Sequence, residues 1–198
     1  AQQNEQQRGC VLAHCMGLGK TLQVVALTAT VLANPQLGIK RILCIVPVNV
    51  LRNWDNEYLK WTPLVPVFTV GGETGNVNKK RVETLEKWET AENGAVLLIG
   101  YDTFRNLIKG AKIKKAEWKE LFQRVLLKVA DFVVCDEGHM MKNAESGLSQ
   151  AVSQLEARRR VVLTGTPLQN NLMEYWTMVN FVRPGLLGTA KEFKEKFE

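Results

Sequence analysis

Met16-Gly17-Leu18-Gly19-Lys20-Thr21 follows a short apolar run, Cys10-Val11-Leu12-Ala13, and leads into the apolar-periodic segment Leu22-Gln23-Val24-Val25-Ala26-Leu27. A strand, a glycine-bearing loop and a helix that opens on Lys-Thr make the arrangement of a phosphate-binding loop. Gly17 and Gly19 permit a turn in which main-chain N–H groups converge on phosphate oxygens. The helix N-terminus adds unpaired donors and a partial positive charge. Lys20 is placed to reach the β- and γ-phosphates of a nucleotide, and the Thr21 hydroxyl to ligate Mg²⁺. The stretch departs from the full G-x-x-x-x-G-K-[ST] spacing at one point: His14 stands where the first glycine would fall.

Composition sets the frame. With 198 residues, 45% hydrophobic and 23% charged, the chain can bury the core of one large α/β domain. No apolar run approaches the roughly 20 residues of a membrane-spanning helix, so no membrane partner is expected. The chain begins with Ala1 rather than Met and is expected to be a piece of a longer protein. A net charge of +6 permits a polyanionic partner. Of the four cysteines, Cys10, Cys44 and Cys135 lie in or beside strand-like runs and read as small buried side chains. None has C-x-x-C spacing and the histidines are His14 and His139, so no zinc site is expected.

Buried strands alternate with amphipathic helices along the chain. The polar residues 1–8 read as the end of a helix. Strands are predicted at 10–13, 41–46, 65–70, 95–99, 131–135 and 161–163. Helices are predicted from Thr21 to about Leu32, through Leu51, Trp54, Tyr58 and Leu59 on one face, up to about Glu92, from Asp102, around 147–157, and twice more near the end. This order implies a mostly parallel sheet with crossover helices and no internal linker. The most basic region is 105–128, with eight Lys or Arg against two Glu. It reads as a helical insertion, either a solvated face or a surface for DNA or histones.

A phosphate loop needs a second anchor for the metal and a group to orient the attacking water. Asp136-Glu137, at the end of an apolar strand, supplies both: Asp136 to hold Mg²⁺ and Glu137 to polarise water. In a parallel sheet both loops emerge at the carboxyl ends of the strands, which brings them together. The competing reading is a polar helix start after a strand. The five tryptophans, Trp54, Trp61, Trp88, Trp118 and Trp176, read as core residues rather than base-stacking platforms. Arg158-Arg159-Arg160 reads as a solvated helix–strand junction, and Cys15 as packed beneath the phosphate loop rather than redox-active.

Asp136-Glu137-Gly138-His139 with Lys142-Asn143 resembles motif II of the Swi/Snf-type branch of superfamily-two helicases. Leu163-Thr164-Gly165-Thr166-Pro167-Leu168-Gln169-Asn170 is similar to its motif III, and Met16 to Thr21 to its motif I. Ile45-Val46-Pro47 with Asn53-Trp54 and Glu57 resembles motif Ia, and Ile99 to Phe104 the segment before motif II. The His14-Cys15-Met16 variant, where most members carry Asp-Glu, resembles the ATRX-type branch of chromatin remodellers.

The resemblance implies a RecA-like P-loop NTPase lobe over residues 1–198, the first of two such lobes, with the second absent from this chain. It implies ATP and Mg²⁺ as ligands, with Lys20, Asp136 and Glu137 catalytic, Met16 to Thr21 cradling the nucleotide, and Thr21 and Asp136 at the metal. His139, Thr164, Gly165 and Thr166 would couple the nucleotide to DNA. Pro47, Asn49, Arg52, Tyr101, Arg105, Gln169 and Asn170 are candidate DNA contacts, directed at phosphates rather than bases. The implied function is that of a nuclear DNA-dependent ATPase that translocates on double-stranded DNA and remodels nucleosomes. The alternatives are a strand-separating helicase and a non-catalytic nucleotide-binding scaffold.

Overall fold

Strands rich in Val, Ile and Leu build a six-stranded sheet in the order β1-β6-β5-β2-β4-β3, and every described pair runs parallel. The structure, a computed structural model, describes residues 9–141, 146–165 and 172–197. The predicted helix end at 1–8 lies outside the described residues, as do Lys142, Asn143, Thr166, Gln169 and Asn170. The strands are β1 (Cys10–Leu12), β2 (Arg41–Val46), β3 (Val67–Val70), β4 (Ala95–Gly100), β5 (Phe132–Cys135) and β6 (Arg159–Leu163). The helices are α1 (Lys20–Leu32), α2 (Leu51–Trp61), α3 (Val77–Thr90), α4 (Tyr101–Lys109), α5 (Ala116–Lys128), α6 (Gly147–Ser153), α7 (Leu172–Val182) and α8 (Ala190–Phe197). Among the described residues no helix is long and apolar enough to cross a membrane.

The sheet is buried on both faces, which is why its central strands read as unbroken apolar runs. Successive side chains point to opposite sides. Leu43, Ile45, Leu97, Ile99, Val133 and Cys135 pack with apolar residues of α3 to α7, such as Leu85, Phe104, Phe122, Ala151 and Met178. Ile42, Cys44, Val46, Val96, Leu98 and Val134 pack with α1 and α2, through Val24, Val25, Trp54 and Tyr58. Asp131 fixes the start of the central pair: its Oδ2 accepts the main-chain N–H groups of Lys40 and Arg41 at 2.8 and 2.9 Å.

Several expectations are corrected by tertiary contacts. The apolar face of α2 ends at Tyr58, because Leu59 turns outward and is 71% exposed. Trp54, Trp88 and Trp176 are core residues, whereas Trp61 is half exposed at the end of α2 and donates to Glu57. Trp118 is partly covered, with the Lys115 ammonium 4.4 Å from its ring centroid. Cys10 is exposed on the edge strand β1. The third strand starts at Val67, since Pro66 has no N–H to give a ladder. The basic stretch 105–128 forms the crossover from β4 to β5. Its lysines are exposed while Phe122, Val125 and Leu126 of α5 lie in the core.

Arg160 departs furthest from its reading as a solvated end. It is 5% exposed, and its guanidinium donates to the carbonyls of Ala157, Leu155 and Phe181 while lying over the Phe181 ring. The planar fork joins the turn after α6 to the end of α7. Arg160→Met keeps the stem and removes the fork, leaving three carbonyls without their donor. It is expected to destabilise the fold by about 3 kcal/mol, read as a lower urea midpoint at unchanged slope.

Burial also sets the chemistry of the sheet thiols. Burial pushes Cys44 and Cys135 up to about 12, with the neighbouring Tyr58 and Tyr101 hydroxyls opposing that rise. A thiol raised on folding keeps its proton longer in the native state, so stability falls as pH rises through about 9 toward about 12. Cys10 and Cys15 are exposed. A disulfide reagent at pH 8 is expected to modify those two rapidly, and Cys44 and Cys135 only on unfolding.

Candidate nucleotide site

The phosphate loop joins β1 to α1. Gly17 and Gly19 take φ values of 83° and 71°, a left-handed backbone that side chains beyond glycine adopt at a cost. Gly19 caps α1, and its carbonyl accepts Gln23 N at 3.0 Å, so Lys20 and Thr21 stand in the first turn. Lys20 Nζ donates to the His14 and Cys15 carbonyls at 2.7 and 3.0 Å. Position 14 thus serves the loop through its main chain, which explains how a histidine can stand there. Cys15 is exposed rather than packed beneath the loop, and Met16 and Leu18 are 75% and 60% exposed.

Asp136 and Glu137 leave the end of β5 on the same side of the sheet. A cavity of about 350 Å³ is lined by Met16, Gly17, Gly19, Lys20, Thr21, Asp136 and Glu137, together with Asn53, Trp54 and Glu57 of α2. Asp136 is 9% exposed and hydrogen-bonded from three directions. Its Oδ1 accepts Glu137 N at 2.9 Å and its Oδ2 accepts Trp54 Nε1 at 2.8 Å, while the Tyr101 hydroxyl donates to its main-chain carbonyl at 2.6 Å. Burial raises the Asp136 carboxyl above its ordinary range. The Trp54 and Glu137 donors and the Lys20 charge oppose that rise, and the Glu137 charge adds to it. Burial also pushes the Tyr101 hydroxyl well up, so it remains a donor.

Glu137 has φ 49°, the one described residue other than glycine with a positive value. Its Oε2 lies 3.1 Å from His139 Nδ1, close enough for an ion pair but not aligned as a hydrogen bond. Gly138 allows this turn to lie flat on the core, where a Cβ would collide with Val162 and Met178.

The end of β6 reaches the same place. Thr164 is buried, and a Cβ at Gly165 would come 2.9 Å from Met16 Cγ and 3.9 Å from Lys20 Nζ. The described parts of the segments resembling motifs I, II and III therefore meet at one end of the sheet. The candidate DNA contacts divide. Asn49 and Arg52 are exposed beside the end of β2, and Pro47 is partly exposed. Arg105 is partly buried and paired with Asp102 at 2.9 Å. Tyr101 is corrected: it is 2% exposed and its hydroxyl is engaged by Asp136, so its side chain offers no surface to DNA.

Sequence reasoning missed Trp54 and Tyr101 as partners of Asp136. The available signal was chemical: a buried indole N–H or phenol needs an acceptor, and Asp136 is a polar group at the end of a buried strand. Thr21 and Asp136 provide hard oxygen donors on one cavity. Among the described residues no group of three or more His, Cys, Asp or Glu could hold a metal. That sparse oxygen set suits Mg²⁺, which takes most of its ligands from water and phosphate.

A family model described as the SNF2-related domain matches residues 1–198. Human transcriptional regulator ATRX is 46% identical over 194 residues, which cover 96% of this chain and 8% of ATRX. Protein CHROMATIN REMODELING 20 of Arabidopsis thaliana is 43% identical over 96% of this chain and 13% of its own length. The chain thus spans a small part of these relatives. Among solved structures, the Sulfolobus solfataricus SWI2/SNF2 ATPase core in complex with dsDNA is similar at a TM-score of 0.68 and 30% identity, over 98% of this chain and 36% of that one.

The loop geometry is testable apart from any activity. Nothing lies within 4 Å of a Cβ placed on Gly19, so a substitution there meets only the left-handed backbone. Gly19→Ala is expected to lower stability by roughly 1–2 kcal/mol. Gly19→Asn should lose less, since asparagine tolerates this conformation. Thermal unfolding of the two variants side by side checks the order.

Proposed function

The chain belongs to the SNF2-related domain family, and on that premise we propose that it is the ATP-binding lobe of a motor that translocates on double-stranded DNA and remodels chromatin in the nucleus. The observation that carries the proposal is the convergence of Lys20 and Thr21 from one strand end with Asp136 and Glu137 from another on a single cavity. In this reading the phosphate loop, Met16 to Thr21, holds the triphosphate, with Lys20 at its terminal phosphates. Thr21 and Asp136 hold Mg²⁺, which when bound neutralises charge on the β- and γ-phosphates. Glu137 orients the attacking water. Its strained backbone and the neighbouring His139 fix where its carboxylate lies.

Motif III is the route from nucleotide to DNA. Gly165 lies against Met16 and Lys20, so a shift in the phosphate loop is felt where β6 ends. Thr164 and Gly165 support this coupling role, and Thr166 is assigned to it by the resemblance. Asn49 and Arg52 offer exposed polar groups suited to phosphates, and Gln169 and Asn170 are assigned to DNA by the resemblance. Such contacts favour any sequence, as a motor requires. Support for double-stranded DNA as the track comes from the Sulfolobus SWI2/SNF2 core, whose structure contains it. A second RecA-like lobe of the same protein completes the site by supplying arginine, a contribution worth roughly 10³–10⁵ in rate in related phosphoryl transfers.

The test is steady-state ATP hydrolysis by the full-length protein with and without duplex DNA. Duplex DNA is expected to stimulate turnover, while Lys20→Ala and Glu137→Gln each remove it. Residues 1–198 alone are expected to bind ATP weakly and to hydrolyse little. Absence of hydrolysis by the full-length protein would leave a nucleotide-binding scaffold. Robust unwinding of a blunt duplex would mark a strand-separating helicase instead.

A further inference from the structure

Asp136 is gripped from both faces of the sheet, by residues outside its own motif. Trp54 comes from α2 on one face, where its ring packs in the core with Val24, Val25 and Leu51. Tyr101 comes from the start of α4 on the other face, in the core with Phe104, Leu97 and Ile99. Trp54 is 1% exposed and Tyr101 2%, so neither can turn away from Asp136, whose carboxylate Trp54 holds and whose main-chain carbonyl Tyr101 holds, without opening a core.

Filling space does not account for Trp54. An apolar ring of similar size would pack against the same neighbours, whereas a buried indole N–H is unfavourable unless paired. Its partner is Asp136 Oδ2, at 2.8 Å. The other carboxylate oxygen accepts Glu137 N at 2.9 Å. Each oxygen therefore receives one N–H, and the plane of the carboxylate is fixed. One N–H on each oxygen restrains rotation of the carboxylate while leaving lone pairs free on both. The acceptor capacity it retains has a set direction, toward the cavity it shares with Lys20 and Thr21.

Resting on the proposed role of Asp136 at Mg²⁺, we infer that Trp54 is a positioning residue for the metal: its indole N–H fixes the orientation of the Asp136 carboxylate toward the cation and its waters. The hydrogen-bond partners of metal ligands typically account for 10–100-fold in metal affinity. Trp54 acts in that way through Asp136 without touching nucleotide chemistry itself.

The test separates the N–H from the shape of the ring. In the full-length protein, Trp54 is replaced by its benzothienyl analogue, in which sulfur takes the place of the ring N–H, and in parallel by Trp54→Phe. Electron paramagnetic resonance follows titration with Mn²⁺ in the presence of a non-hydrolysable ATP analogue, so that no turnover is needed. The analogue is expected to weaken Mn²⁺ binding about tenfold, with nucleotide affinity in the absence of metal within about twofold of the parent. The thermal unfolding midpoint of the analogue should fall only modestly, since its volume is kept and only the N–H to Asp136 is lost. Trp54→Phe should weaken Mn²⁺ similarly while also lowering stability. Mn²⁺ affinity of the benzothienyl protein within about twofold of the parent overturns the inference and leaves Trp54 as a core residue. Asp136→Asn, run alongside, distinguishes the two levels. If it weakens Mn²⁺ and the analogue does not, only the role of Trp54 falls. If it leaves Mn²⁺ binding intact, the assignment of Asp136 falls and the inference with it.

Discussion

Two strands that run the same way cannot be joined by a tight turn, so each connection must cross a face of the sheet before the next strand begins. Every described pair in this sheet is parallel, and the rest of the molecule depends on that. Each strand releases its following segment at the same end. Thus the phosphate loop after β1, Pro47 after β2, Tyr101 after β4, Asp136 after β5 and Thr164 after β6 come to one edge, whatever their separation in sequence. The site is a product of strand direction. Crossovers on both faces also explain the two apolar layers, which make the central strands continuous in their hydrophobicity.

Burial on both faces creates a difficulty where the strands end. Asp136 directly follows four buried residues of β5 and is itself 9% exposed. A carboxylate there is penalised by desolvation, and its upward shift records that penalty. Donors offset the penalty, and they come from the layers that cause it: an indole from one face and a main-chain N–H from the turn. The same crossover helices that bury the sheet therefore carry the groups that make a polar site tolerable at its edge.

What could be read from the sequence, and what could not, follows the range of the forces involved. Gly17, Gly19, Lys20 and Thr21 were legible because a tight turn before a helix imposes local requirements on residue type. The sheet was legible because parallel strands covered on both sides need unbroken apolar runs. Arg160 was misread because its neighbours Arg158 and Arg159 are exposed, whereas the carbonyls of the turn at Leu155 and Ala157 and of distant Phe181 draw it inward. Leu59 and Trp61 were misread because a helical face records which side is buried but not where the neighbouring helix stops. Trp54 and Tyr101 were read as motif neighbours, while their hydrogen bonds to Asp136 depend on elements folding onto opposite faces. Local chemistry is visible in a string of residues. Partnerships across layers are not.

Glu137 shows how the two ranges meet. A glutamate with φ 49° sits in a region that costs roughly 1–2 kcal/mol, and nothing in its own side chain explains the choice. The surroundings do. Its N–H must turn back to reach Asp136 Oδ1, and its carbonyl must accept Met140 N at 2.8 Å to start the turn at Gly138–Met141. Gly138 lies so close to Val162 and Met178 that the chain has no room to relax outward through a bulkier residue. The strain is thus held in place by β6 and α7. A change in how α7 sits on β6 would act first on Gly138 and through it on Glu137. The position of the Glu137 carboxylate is therefore tied to the packing of the core on the far side of the turn.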